Sequence, residues 1–215
     1  MTLDVTSDAD YGRWVVGLAT AAALAIGVTA TVLMVRQYTT LPVPLTSAHV
    51  KIETSRGHGS ATHIGDGLYL TAAHVIGDGA SIKISGHGAT LLWANASYDI
   101  ALVSGPEIAA SVPLACYTPQ LGEAGEAHGN PMELSDITTT ARVAGSARTI
   151  GEWKLAIPVD GALGPGMSGG AFVIGGALVG VNVGSALAPT GRGASFFGLA
   201  VVVPGSVVCD LMGRK

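Results

Sequence analysis

The sequence predicts an all-β domain preceded by one apolar helix, and three observations support this prediction. Residues 14–35 contain no charged side chain. From residue 47 onwards, short apolar stretches are separated by turn residues at a spacing of roughly 8–12 residues, which is typical of a β-barrel or a β-sandwich. The 215 residues also include 31 glycines, as expected for a chain with many tight turns. This length suits one domain or two half-domains that share a core.

The apolar stretch 14–35 is long enough to cross a membrane, since a helix of about 20 residues spans the hydrocarbon core. A cleaved signal peptide is the competing interpretation. It is disfavoured because the preceding residues include Asp4, Asp8 and Asp10 and because the run exceeds the usual apolar length of a signal peptide. We therefore expect a single-pass membrane protein with a tail at 1–13, an uncleaved transmembrane helix at 14–35 and a linker at 36–46.

A first group of strands is expected before residue 104. Val50 and Ile52 alternate with Lys51 and Glu53, as in a half-buried strand. The Asp-Gly pair at 66–67 separates two apolar stretches, which is a hairpin signal. The expected strands lie around 50–53, 60–64, 68–71, 81–85, 89–94 and 97–103.

A second group of strands is expected after a connector that ends near Pro113. Gly175-Gly176 is suited to a two-residue hairpin turn, and the apolar residues of 206–212 recur at nearly helical spacing, which predicts a short C-terminal helix. The expected strands lie at 114–118, 124–129, 137–144, 153–159, 171–174, 177–183 and 195–202.

Composition excludes several classes of function. The net charge of −4 without a basic cluster argues against nucleic-acid binding. No Cys-x-x-Cys or Cys/His spacing predicts a metal site, and no cofactor is expected. The two cysteines, Cys116 and Cys209, are either a disulfide or two separately buried thiols, and the sequence leaves both possibilities open.

The stretch Gly164–Ala171, which reads Gly-Pro-Gly-Met-Ser-Gly-Gly-Ala, is the strongest functional signal. Glycines on both sides of Ser168 allow an exposed hydroxyl and backbone N–H groups that point into a cavity. A serine nucleophile needs both of these features, together with a base that takes its proton.

His74 and Asp99 are the candidates for the base and for the group that orients it. His74 ends the block Thr71-Ala72-Ala73-His74, and Asp99 opens an apolar strand. In this assignment His74 accepts the proton of Ser168, Asp99 orients His74, and the N–H groups of Gly166 and Ser168 bind the oxyanion. The other histidines are expected to be structural or surface residues, because none stands in a comparable block: His49, His58, His63, His87 and His128.

These blocks together resemble the signatures of the trypsin/chymotrypsin-like serine proteases. The stretches Gly129-Asn130-Pro131 and Gly180-Val181-Asn182 make the second half similar to the compact bacterial HtrA/Deg-like branch. The resemblance covers about residues 47–212. It implies two six-stranded antiparallel barrels, at about 47–110 and 111–205 within a protease domain at 47–215, with the active site in the cleft between them.

The sequence departs from that family pattern in three places. HtrA-type chains usually carry a PDZ domain after the protease, and none is expected here because the sequence ends at Lys215. Met167 stands where zymogen-activated relatives have an aspartate that pairs with a newly cut N-terminus, so activation is not expected to require such a cleavage. The gap between His74 and Asp99 is short, which implies trimmed loops.

The sequence therefore predicts a membrane-anchored serine endopeptidase that works through an acyl-enzyme. The alternative is a catalytically silent protein of the same fold that acts as a tethered scaffold. By resemblance, the domain faces the extracytoplasmic side, and peptides or proteins are the substrates. The resemblance also implies that Leu163, Val181, Asn182, Val183 and Gly184 bind the substrate side chain, and the lack of an acid there predicts a small or medium apolar preference.

Overall fold

The computed structural model describes residues 47–79, 81–132, 134–190 and 193–214, without the side chains of 187–190 and 193–197. The predicted tail, transmembrane helix and linker, residues 1–46, lie outside the described residues. Within the described part of the chain, neither helix has the length and apolar character that crossing a membrane requires.

The first half of the domain is a closed barrel of six antiparallel strands. Their order around the barrel is β1-β2-β3-β6-β5-β4, and a one-turn helix, α1 (Ala73–Ile76), follows β3. The alternation predicted for the first strand is present, since Val50 and Ile52 are buried while Lys51 and Glu53 are partly exposed. The strands are β1 (His49–Thr54), β2 (Gly57–Gly65), β3 (Leu68–Ala72), β4 (Ile82–Ile84), β5 (His87–Asn95) and β6 (Ile100–Ser104).

The second half is a seven-stranded sheet with the order β13-β12-β11-β7-β8-β10-β9, in which β10 also pairs with β13. Helix α2 (Gly205–Leu211) follows the last strand, which confirms the predicted C-terminal helix. The strands are β7 (Ala124–Gly129), β8 (Ile137–Val143), β9 (Arg148–Ile150), β10 (Trp153–Asp160), β11 (Ala171–Ile174), β12 (Ala177–Thr190) and β13 (Gly193–Pro204).

Two details of the second half differ from the sequence prediction. The strand expected at 114–118 is not formed. Only a single bridge joins Leu114 to Leu178, because the chain then turns away towards α2, where Cys116 is bonded. The short strand β9 was not predicted, since its three residues are all at least partly exposed and give no apolar alternation. β9 thus adds a seventh strand at the edge of β10, while the other six strands follow one another in a ring that the β10–β13 pairing closes, as expected for the second barrel.

Cys116 and Cys209 form a disulfide with their Cα atoms 5.5 Å apart, which decides between the two possibilities that the sequence left open. The bond joins the segment before β7 to helix α2. Beside it, Ser206 N–H donates to the Tyr117 carbonyl at 3.1 Å, and a 2.6 Å hydrogen bond joins the hydroxyls of Thr118 and Ser206. The start and the end of the second half are thus held together.

A stacked pair of histidines joins the two halves away from the disulfide. The rings of His49 on β1 and His128 on β7 lie 4.0 Å apart with an interplanar angle of 16°. Burial lowers the pKa of His49 from its ordinary 6.5 to about 4; the charge of His128 acts in the same direction, while Asp136 opposes it. Glu126 lies 3.3 Å from His128 Nε2. The fold therefore favours the neutral form of His49.

The low pKa of His49 predicts that acid destabilises the domain. Because the folded pKa lies below the unfolded value, the unfolded state binds more protons between pH 6.5 and about 4. The stability that neutral His49 contributes is present above pH 6.5 and is lost as the pH falls through this window, by up to about 3 kcal/mol. We expect His49→Phe, which retains a stacking ring, to flatten the dependence of the unfolding free energy on pH.

Urea unfolding across this pH window measures the effect. The exposed His87 supplies the control, and His87→Asn should retain the wild-type slope. Parallel curves for wild type and His49→Phe would contradict the prediction.

Candidate active site

The Ser168 loop lies between the two halves of the domain and is bonded to both. Ser60 N–H, from β2, donates to the Ser168 carbonyl at 2.8 Å, and Gly169 N–H donates to the Asn182 carbonyl at 2.7 Å. Gly169 has φ +87°, and a Cβ at this position would lie 2.1 Å from the Ser60 carbonyl oxygen. A side chain would therefore clash with the backbone of the first barrel, which explains why glycine follows Ser168.

Backbone contacts orient the Pro165–Gly166 peptide bond, which carries the N–H of Gly166. Met132 N–H donates to the Pro165 carbonyl at 3.0 Å, and the peptide bond is trans. The Gly166 N–H must therefore point away from Met132. The Ser60 hydroxyl holds the next carbonyl, that of Gly166, at 2.7 Å. Among the described residues, the N–H groups of Gly166 and Ser168 donate to no other backbone group, so both are available to an external acceptor.

His74 and Asp99 form a pair held by two hydrogen bonds. His74 lies in α1, directly after β3, and Asp99 directly precedes β6, the neighbour of β3. The backbone N–H of His74 donates to Asp99 Oδ1 at 2.8 Å, and His74 Nδ1 lies 2.7 Å from Asp99 Oδ2. Asp99 has φ +57°, a left-handed conformation that aspartate tolerates better than most residues.

The hydrogen bond to Asp99 determines the tautomer of His74. A carboxylate only accepts hydrogen bonds, so Nδ1 must carry a proton and the neutral ring has its lone pair on Nε2. The bond to Asp99 raises the pKa of His74 above 6.5; burial opposes the rise, and the charges of Asp99 and Glu152 add to it. Neutral His74 is therefore a competent base at Nε2.

The Asp99 carboxylate has a further donor from the other half of the domain. Trp153, the first residue of β10, donates its indole Nε1–H to Asp99 Oδ2 at 3.1 Å. Asp99 is buried, with 7% of its surface exposed. A buried anion requires such donors, because burial without hydrogen bonds is strongly unfavourable.

A cleft of about 290 Å³ brings His74, Gly166 and Ser168 together. Among the described contacts, no hydrogen bond joins Ser168 to His74 in this conformation, although both residues line the cleft. Asp99 lies behind His74 and does not line the cleft. The lining residues are Thr54, Arg56, Gly57, His58, His74, Val75, Pro165, Gly166 and Ser168.

The residues predicted to bind the substrate side chain lie outside this cleft lining. The side chains of Leu163, Val181 and Val183 are buried. Buried Asn182 donates to the carbonyls of His128 and Ala171, both at 3.2 Å. Leu163 nevertheless lies close to the predicted stretch Val181–Gly184. Ser185, directly after that stretch, donates its hydroxyl to the Leu163 carbonyl at 2.9 Å.

Met167 is almost fully buried and packs in an apolar cluster with side chains that include Ala127 and Phe172. The residue before Ser168 is thus held by apolar packing.

Sequence reasoning missed four residues that shape the site. Ser60 and Met132 hold the Gly166 loop, Trp153 binds Asp99, and His58 lines the cleft with a buried Nε2 that has no partner in the described part of the chain. The Gly129-Asn130-Pro131 block was a partial signal, since it precedes Met132 and since Asn130 N–H bonds to the Ser60 hydroxyl. Nothing in the sequence pointed to Trp153.

The geometry predicts how His74 titrates. The wild-type pKa should lie above 6.5, because the bond to Asp99 outweighs burial. Asp99→Asn removes the negative charge from the hydrogen-bond acceptor and leaves burial, which lowers the pKa of His74, as the largest effect. We therefore expect the pKa of His74 to fall below 6.5 in this variant. NMR titration of the His74 ring checks both values.

Glu152→Gln is a second variant for this titration and should have a smaller effect on the pKa of His74 than Asp99→Asn. Because its charge is the weakest of the contributions to His74, the pKa should fall slightly and remain above the value of the Asp99→Asn variant. A wild-type value at or below 6.5 would contradict this account of the pair.

Comparisons with known proteins support the fold described above, through solved structures and not through sequence matches. No family model matches the chain, and no curated protein sequence matches it either. Among solved structures, the inactive form of the Rv3671c protease of M. tuberculosis H37Rv shares 21% identity with a TM-score of 0.62; the match covers 77% of this chain and 85% of the other.

Two further solved structures are similar to the chain. The HtrA-type protease AlgW, solved with a decapeptide, matches at 20% identity and a TM-score of 0.65, over 77% of this chain and 63% of the other. The serine endoprotease from Yersinia pestis matches at 25% identity and a TM-score of 0.64, over 77% and 61%. The chain spans less than two thirds of these two proteins. Its described domain thus has the chymotrypsin-like fold of the HtrA-type serine proteases.

Proposed function

We propose that this chain is a membrane-anchored serine endopeptidase. The observation that carries the proposal is that His74, which forms a 2.7 Å hydrogen bond with Asp99, lines the same cleft as Ser168 and Gly166. Named serine proteases share the fold, which supports the same reaction class.

The proposed reaction begins when Ser168 Oγ attacks the carbonyl carbon of a peptide bond. His74 Nε2 accepts the serine proton, and Asp99 stabilises the resulting imidazolium. The N–H groups of Gly166 and Ser168 donate to the oxyanion of the tetrahedral intermediate. When this intermediate collapses, the C–N bond breaks and His74 returns the proton to the amine, which leaves an acyl-enzyme.

Water completes the cycle by the same route. His74 takes a proton from water, the hydroxyl oxygen adds to the acyl carbon, and collapse releases the carboxylic acid and restores the Ser168 hydroxyl. Attack requires the side chains of Ser168 and His74 to approach each other, a movement within the cleft that they already share.

The substrates are proposed to be peptides or unfolded protein segments with a small or medium apolar residue before the cleaved bond. The decapeptide in the AlgW structure supports a peptide ligand for this fold. The apolar preference follows from the buried, uncharged residues that flank the predicted pocket, Leu163 and Val183.

A fluorophosphonate probe tests the reaction directly, because it reacts only with an activated serine. Wild type should be labelled, whereas Ser168→Ala should not be labelled and His74→Ala should lose nearly all labelling. Ser111→Ala, at an exposed serine that does not line the cleft, is the matched control and should be labelled like wild type. Folded wild type that resists the probe would instead support the silent scaffold.

We also propose that residues 14–35 anchor the protein and that the domain faces the extracytoplasmic side. The disulfide between Cys116 and Cys209 supports this location, since disulfides persist in oxidising compartments and are rare in the cytosol. The uncharged sequence of 14–35 supports the anchor.

Topology reporters and thiol labelling in intact cells test the location. A reporter fused after Lys215 should be active outside the cytoplasm, and the two cysteines should resist alkylation until a reductant is added. Deletion of 14–35 should release the domain from membranes. Freely alkylated cysteines together with a cytoplasmic reporter signal would refute this orientation.

A further inference from the structure

We propose that Trp153 is a positioning residue for the proposed peptidase reaction, and this inference rests on that proposed function. Its indole N–H binds the Asp99 carboxylate, compensates part of its charge, and so determines how strongly Asp99 stabilises the His74 imidazolium. Asp99 belongs to the first barrel, but its carboxylate thus also accepts a hydrogen bond from the seven-stranded sheet.

The hydrogen bonds at Asp99 assign this role. Oδ1 accepts the backbone N–H of His74 at 2.8 Å, and Oδ2 accepts His74 Nδ1 at 2.7 Å. Trp153 Nε1 donates to the same Oδ2 at 3.1 Å. Both contacts from His74 come from the residue that Asp99 has to orient, so Trp153 supplies the external reference for the carboxylate.

The indole is chemically suited to this position. Its Nε1 is a donor only, and it does not titrate in the pH range in which His74 changes charge. A hydroxyl group could rotate and an imidazole could lose its proton, whereas the indole donates at every pH. It therefore stabilises the anion without competing for the proton that His74 transfers.

Two further contacts fix the indole. Directly after it, Lys154 N–H donates to the Ser97 carbonyl at 3.3 Å, which joins β10 to the turn that carries Asp99. On the other side lies Gly184 of β12, where an added Cβ would be only 2.7 Å from the indole Cζ2. Glycine at 184 thus leaves room for the ring.

Gly184 also belongs to the stretch predicted to bind substrate. The indole therefore connects this stretch of β12 with the orienting carboxylate. Its removal should act on His74 through Asp99, although Trp153 does not line the cleft.

The expected effect of removing the N–H has a definite sign. With one donor fewer, the charge on Asp99 is less compensated and stabilises the imidazolium of His74 more strongly. The other charged or titratable groups near His74 are Glu152, whose charge raises its pKa, and Arg56 and His58, which line the same cleft. None of these groups changes in the variants below, so a shift at His74 reports the lost donor.

Trp153→Phe is the central variant, because it retains an aromatic ring and removes only the donor and part of the indole. We expect the His74 titration, followed by NMR, to move up by about 0.5–1 pH unit. The acid limb of kcat/KM should move with it, because neutral His74 is the base. A second route is Gly184→Ala, which displaces the ring and should shift the NMR titration in the same direction.

Trp93→Phe is the matched control. Trp93 is also partly buried and packs against the apolar core, so its variant reports the loss of indole packing alone and should leave the His74 titration at the wild-type value. An unchanged titration in Trp153→Phe, with stability lowered as in Trp93→Phe, would reduce Trp153 to a packing role and overturn the inference.

The NMR titration separates this inference from the proposed function. If His74 shifts in Trp153→Phe while folded wild type resists the fluorophosphonate probe, the hydrogen bond is real and the peptidase proposal fails. If wild type is labelled and His74 does not shift, the peptidase proposal stands and the role of Trp153 fails.

Discussion

The Asp99 carboxylate is buried between the two halves of the domain, and a buried anion is tolerated only when donors surround it. The donors come from α1 of the first half and from β10 of the second. The position of β10 against the first barrel therefore affects the charge environment of His74, although Trp153 of β10 does not itself line the cleft. The hydrogen bond between Trp153 and Asp99 therefore belongs both to the contact between the two halves and to the electrostatics of the candidate site.

Ser60 has a comparable role on the other side of the cleft. Its N–H binds the Ser168 carbonyl, its hydroxyl donates to the Gly166 carbonyl, and the same hydroxyl accepts the Asn130 N–H. One residue of β2 thereby connects the Ser168 loop with the loop after β7. Other backbone contacts orient the two peptides whose N–H groups are proposed to bind an oxyanion: Met132 N–H donates to the Pro165 carbonyl, and Gly170 N–H donates to the Met167 carbonyl at 3.0 Å. Donors oriented in advance lower the reorganisation that the proposed reaction requires.

The sequence predicted the parts of the fold that leave a local pattern. Apolar alternation located most strands, and glycine-rich stretches located the Ser168 loop. The segment 114–118 was wrongly predicted as a strand because an apolar stretch looks the same whether it pairs with a neighbour or leads to a disulfide. The pair His74 and Asp99 followed from their blocks, but Trp153 did not, because its role depends on a contact across 54 residues of chain. Contacts of this kind leave no periodicity.

The disulfide has a consequence for a proposed protease that meets other copies of itself. Cys116 and Cys209 enclose the whole seven-stranded sheet and the Ser168 loop within one covalent ring. A single cut by a neighbouring molecule anywhere inside that ring leaves both fragments joined through the sulfur atoms. Because His74 and Asp99 precede Cys116 in the chain, such a nicked molecule would still hold all three candidate catalytic residues in one piece.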